Sequence, residues 1–144
     1  MWPWVDGGCR KIVVIDGQGG RIGKTVIEQL RESSLVCDIL AIGTNSAATS
    51  AMLKAGADNG ATGENPVVIA CRDADFIVGP IGIIAADSMF GEITPKMAEA
   101  VGQSRARKVL IPVNKCFEVA GVREMGLSQY VVEAVRIITE DLKA

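Results

Sequence analysis

Apolar positions along the chain fall into two kinds of run. Residues 11–15 read Lys-Ile-Val-Val-Ile, a β-branched block stopped by Asp16 and Gly17, which predicts a strand buried on both faces. Residues 21–32 instead place Ile22, Val26, Ile27 and Leu30 on one side and leave Lys24, Glu28 and Arg31 outward, the period of an amphipathic helix. Residues 35–42 predict a second strand, ended by Gly43, Thr44, Asn45 and Ser46, and residues 47–55 a second helix closed by Gly56.

Further along, residues 57–64 read as a polar connection. Asn65 and Pro66 look like a cap followed by proline at the first helical position, opening a helix over 66–73, although Val67, Val68 and Ile69 suit a strand equally well. A strand over 75–79 runs into an apolar loop over 80–87. Thr94 and Pro95 open a helix carrying Met97, Ala98 and Val101 toward the core. A strand over 108–113 is broken late by Pro112, residues 117–122 add a short strand, and a final helix over 127–142 has Tyr130, Val131, Ala134, Val135, Ile138 and Leu142 at helical spacing. No internal repeat is visible. This succession predicts a small doubly wound α/β fold, Rossmann-like, with a mostly parallel sheet of about five strands and helices on both faces. The chemistry of such a fold gathers at the carboxyl ends of its strands, here near Gly17, Gly43, Gly79 and Asn114.

Size and composition narrow this picture. A chain of 144 residues, 49 % apolar and 22 % charged, supplies one core, so residues 11–144 are expected to be one domain and residues 1–10, with Trp2, Pro3 and Trp4, an aperiodic extension. A formal net charge of -2 with no basic stripe, and 4 % aromatic residues, argue against nucleic acid as a partner. No apolar run approaches the length of about eighteen residues that a membrane span requires, and residues 1–10 lack the pattern of a signal peptide, so no membrane partner and a cytoplasmic location are expected. Cys9, Cys37, Cys71 and Cys116 are widely spaced and are expected to be thiols. The absence of histidine excludes Ser-His-Asp relays and histidine-based zinc sites, and no metal site is expected.

The most informative segment follows the first strand. Asp16, Gly17, Gln18, Gly19, Gly20, Arg21, Ile22, Gly23, Lys24 and Thr25 form a glycine-rich turn into a helix, where unpaired N–H groups and the positive helix end attract an anion. Two templates compete. A dinucleotide fingerprint needs its third glycine at position 22, and Gly23 comes one residue late; a P-loop finds its ending in Gly23, Lys24 and Thr25 but has Gln18 in place of its first glycine. The geometry favours the dinucleotide-like form, with Gly17, Gln18, Gly19, Gly20, Arg21 and Gly23 around a phosphate. The acidic residue that holds a ribose at the end of the second strand is missing, and Thr44 and Asn45 stand there with Ser46.

Other polar groups are less specific. Asp16 suits a ribose, a metal or its own turn. Cys116 beside Lys115 is a candidate nucleophile, against the plainer reading of a buried apolar thiol, and Asn114 should share the rim of the glycine turn. Asp87, Ser88 and Glu92 lie in a glycine-flanked loop placed like a lid, and Arg21, Lys24 and Lys115 are the nearest cations for a charged ligand.

Residues 14–20 (VIDGQGG) together with residues 110–116 (LIPVNKC) resemble a family of short bacterial proteins described as a domain of unknown function, DUF3842, from about residue 11 onward. The resemblance implies a Rossmann-like domain with a shared site of Asp16, Gly17, Gln18, Gly19, Gly20, Asn114, Lys115 and Cys116, and it implies no particular reaction. Arg21 stands where many members carry another glycine, which makes it a candidate anion contact. The functional expectation is a protein that binds a nucleotide or dinucleotide, a small phosphorylated molecule, with catalysis left open. The alternatives are a non-enzymatic regulatory or assembly domain using the apolar residues Ile81, Ile83, Ile84, Met89 and Phe90, and a P-loop-like nucleotide hydrolase. Self-association as a homodimer is expected from the apolar surface that so small a parallel sheet leaves open.

Overall fold

In the computed structural model, residues 9–113 and 117–143 are described. The expectations for the extension with Trp2 and Trp4, and for Asn114, Lys115 and Cys116, lie outside the described residues. The elements run β1 (Arg10–Asp16), α1 (Arg21–Glu32), β2 (Cys37–Gly43), α2 (Ser46–Ala55), β3 (Asn59–Thr62), α3 (Glu64–Ala70), β4 (Phe76–Pro80), a 3-10 turn (Ile81–Ile84), α4 (Pro95–Gln103), β5 (Arg107–Ile111) and α5 (Leu127–Lys143). One sheet of five strands has the order β3-β2-β1-β4-β5, and every pairing is parallel. This is the doubly wound, Rossmann-like arrangement.

The unbroken apolar run of β1 has its cause in this order. As the central strand, β1 is covered on both faces, and alternate side chains go to opposite layers. Ile12 and Val14 join Val26, Ile27 and Leu30 of α1 and Val131 and Ile138 of α5. Val13 and Ile15 join Val67 of α3 and Met97 and Val101 of α4. Caps set two helix starts: the Asn45 side chain accepts from Ala48 N at 2.9 Å, and Thr94 Oγ1 accepts from Met97 N at 3.2 Å with Pro95 following it.

Three expectations from the sequence need correction. Residues 57–64 hold a strand, β3, which has no apolar alternation and exists because it pairs with β2 from Leu40↔Asn59 to Gly43↔Thr62; partner pairing overrides propensity at this edge. Helix α3 begins at Glu64 after a cap at Gly63, so Asn65 is inside the helix, and Pro66 sits in the first turn, where its missing N–H is not needed. Residues 117–122 are not a strand: they are exposed and irregular, with Gly121 at φ 85°. Among the described residues, no helix is long and apolar enough to cross a membrane.

The chain leaves β1 toward β2 and β3 on one side and returns to β4 and β5 on the other. The reversal lies between β1 and β4, and folds of this kind place their ligands at the carboxyl ends of the strands there. Close backbone approach is required at this point, since a Cβ on Gly79 would lie 2.3 Å from Ile15 O. Gly79→Ala should therefore lower unfolding stability by about 1–3 kcal/mol through overpacking. Urea denaturation measures it, and a loss within experimental error would show that the two strands separate freely.

Candidate functional site

The turn from β1 into α1 is organised by a buried carboxylate. Asp16, 4 % exposed, accepts from Gly17 N with Oδ1 and from Gly23 N with Oδ2, each at 2.8 Å. Gly20 N donates to Gly17 O at 2.9 Å and closes the turn, and Gly20, at φ 74°, is the residue before α1. That left-handed conformation and the Ala48 backbone, 2.8 Å from a Cβ at this position, make glycine necessary there. Of the sequence alternatives for Asp16, the geometry is that of a clamp on its own turn. Burial pushes its pKa above the ordinary value of 3.8, against the lowering effect of the N–H groups of Gly23, Gly17 and Ile22, while nearby Glu92 adds to the rise.

The other glycines differ in what they serve. A Cβ on Gly23 would lie 2.4 Å from Met52 Sδ of α2, and one on Gly17 would meet Met89 Sδ and Thr44 Oγ1 at 2.7 Å and Glu92 Oε1 at 2.9 Å. A Cβ on Gly19 would meet nothing within 4 Å. Packing within the protein thus accounts for Gly17, Gly20 and Gly23, and Gly19 alone faces open space. Of the N–H groups of Gln18, Gly19, Gly20 and Arg21 that a bound anion could meet, Gly20 N is spent inside the turn, and Gln18 N donates to Glu92 Oε1 at 2.8 Å. Among the described residues, the N–H groups of Gly19 and Arg21 have no partner.

Glu92, which the sequence places only in the glycine-flanked loop, ties this candidate site together. It comes from the β4–α4 connection and reaches the tips of both β1 and β2. Its Oε1 accepts from Gln18 N, from Asn45 Nδ2 at 3.0 Å and from Thr44 Oγ1. Asn45 Nδ2 also donates to Gln18 O at 3.0 Å, and Thr44 N to Asp16 O at 3.0 Å, so the end of β2 is stitched to the glycine turn. A carboxylate does reach the end of β2, from a residue 48 positions after Thr44. Burial raises the Glu92 pKa, but the bonds from Thr44, Gln18 N–H and Asn45 outweigh it and hold the carboxylate below its ordinary 4.5.

Lys24 and Thr25 are placed away from this cluster. Thr25 Oγ1 donates to Arg21 O at 2.9 Å, and Lys24 lines the groove between α1 and α2 with Glu28, Ser50 and Lys54. Arg21 is the exposed first residue of α1. The apolar residues proposed for an interface also divide: Ile83 is fully buried in the core, Met89 packs against it, and Ile84 and Phe90 are exposed. Packing inside the monomer takes Ile83 and part of Met89 out of that surface and leaves Ile84 and Phe90 on it.

A family described as "Domain of unknown function (DUF3842)" matches residues 11–143. The chain belongs to this family. The DUF3842 match takes in every element from β1 to α5, apart from Arg10 at the start of β1, and with them the whole cluster of Asp16, Gln18, Thr44, Asn45 and Glu92. No curated protein matches the chain. One solved structure similar to this DUF3842 chain is a dodecameric FMN-dependent UbiX-like decarboxylase from Escherichia coli O157:H7, 20 % identical with a TM-score of 0.43, covering 91 % of this chain and 75 % of that one.

Removing the clamp should open the turn. Asp16→Ala leaves the Gly17 and Gly23 N–H groups without their acceptor and is expected to cost about 1–3 kcal/mol. Asp16→Asn, which retains one acceptor oxygen and buries no charge, should cost less. Guanidinium unfolding of the two variants measures the order, and an Asp16→Ala protein as stable as wild type would show that the carboxylate does not hold the turn.

Proposed function

We propose that this protein binds a nucleotide or dinucleotide, with a phosphate at the β1–α1 turn and a ribose near the tip of β2. The observation that carries the reading is the convergence of Gln18 N–H, Thr44 Oγ1 and Asn45 Nδ2 on a single carboxylate oxygen at the carboxyl ends of β1 and β2. Three donors from two adjacent strand ends form a preorganised acceptor-binding set, and the Gly19 and Arg21 N–H groups, without a partner among the described residues, extend it. The reading names no reaction.

Two observations favour it over a P-loop hydrolase. Helix α1 already begins at Arg21, so Lys24 and Thr25 belong to its second turn, whereas a P-loop holds its lysine and threonine at the phosphates. The Thr25 hydroxyl is also spent on Arg21 O. Lys115, Cys116 and Asn114 stay candidates on sequence grounds for completing the site.

A thermal denaturation scan with adenine, guanine and flavin nucleotides, NAD, NADP and coenzyme A tests the proposal. At a ligand concentration of about 100 Kd the stabilisation should reach roughly 2.7 kcal/mol. Gly19→Val should fold, since nothing in the protein occupies the space of its Cβ, yet bind the responding ligand at least about tenfold more weakly. Thr25→Ala should bind within about twofold of wild type. No shift with any of these ligands, or full affinity in a folded Gly19→Val protein, would contradict the reading. Sedimentation of the same samples addresses the proposed dimer, which a mass near the 15.2 kDa of one chain would exclude.

A further inference from the structure

The connection from β4 to α4 has a firm base and an unusual tip. At the base, Asp87 N donates to Ile93 O at 2.7 Å and Ile93 N to Ser88 O at 3.2 Å, while the Ile93 side chain is fully buried. The tip has Met89, Phe90 and Gly91 at φ 57°, 56° and 86°, after Asp87 at 68°. Left-handed backbone is unfavourable for the three that are not glycine. Phe90 is 99 % exposed, so its ring stabilises nothing in this arrangement. Side-chain contact holds the tip at the site through Met89, which packs over Gly17, and through the Glu92 carboxylate.

We propose that Glu92 is an internal occupant of the anion position, carried on a lid that an incoming phosphate must displace. This rests on the reading of the glycine turn as a phosphate site. Glu92 Oε1 takes the Gln18 N–H, the Thr44 hydroxyl and the Asn45 amide. These are the donors that an external phosphate oxygen would use. A carboxylate and a phosphate cannot share them, because the donor hydrogens are already taken and two anions at that separation repel. The empty protein therefore satisfies its own site, and the apparent affinity for an external anion is lowered by the fraction of molecules in which the lid is closed. Phe90, free on the outer side of the lid, and the strain of the left-handed tip keep the closed form from being deeply stable. The ligand class follows from the donors: an anion with phosphate-like oxygens, able to accept from a backbone N–H, a hydroxyl and a side-chain amide together.

Calorimetric titration of wild type, Glu92→Gln and Glu92→Ala with inorganic pyrophosphate, with the Gln18 amide followed by NMR, tests this directly. Thermal melting of each variant checks folding, which the half-exposed position of Glu92 makes tolerant of change. Pyrophosphate should shift the Gln18 amide and bind Glu92→Ala about tenfold or more tightly than wild type, with Glu92→Gln between them. Equal affinity in all three proteins, with the Gln18 amide still responding, would overturn the lid while leaving the phosphate site standing. Weaker binding in the variants would also overturn it, and would make Glu92 a ligand-holding residue. No response of the Gln18 amide in any of the proteins would overturn both the lid and the phosphate reading of the turn.

Discussion

Everything at the carboxyl edge of this sheet depends on the Asp16 carboxylate bridging Gly17 N and Gly23 N. That bridge fixes where β1 ends and at what angle α1 departs. Once fixed, the turn brings Gly20 against the Ala48 backbone and Gly23 against Met52, so α1 and α2 lie close together on one face of the sheet. It also directs Gln18 N out to Glu92 rather than into the turn. The glycine pattern, which looks like a single feature in the sequence, is therefore two features. Three glycines serve the packing, and one leaves room.

Asp16 and Glu92 are close enough to influence each other, and their surroundings push them in opposite directions. Asp16 is raised by burial, so its ionised form is less favourable in the folded protein. The stability it contributes is fully present below 3.8 and falls as pH rises through its raised folded value. Glu92 is lowered, since the donors around it outweigh its burial. Its contribution is present above 4.5 and is lost as pH falls through its lowered folded value. The two effects oppose each other in the acid range. At neutral pH the lid is tied down by a charged group that makes three hydrogen bonds.

Much of the architecture was legible because the apolar run of 11–15 and the helical spacings of 21–32 and 127–142 reflect burial directly. The caps at Asn45 and Thr94 were legible for a local chemical reason, a side-chain acceptor beside orphan N–H groups. Strand β3 was not, because Asn59, Gly60, Ala61 and Thr62 carry no pattern and gain their conformation from β2. Residues 117–122 go the other way: Val119 and Val122 suggest a strand, but the segment is exposed and pairs with none of the described strands. At the site, the glycine turn, Thr44 and Asn45 could be named from motif and position. Glu92 was visible as a lone acid following Gly91, but its link to Thr44 spans 48 residues and depends on the lid crossing the ends of β1 and β2. The gap where β2 should have ended in an acid was the signal that such a residue had to be sought elsewhere.

The claim on which the account turns is that a buried Asp16 carboxylate clamps the glycine turn. Carboxyl-carbon NMR titration of the full chain, followed together with the Gly17 and Gly23 amide resonances, tests it most directly. The account predicts that Asp16 titrates above 3.8 and that both amides shift with the same midpoint. Gly17 and Gly23 amides that stay unmoved while Asp16 titrates would contradict it.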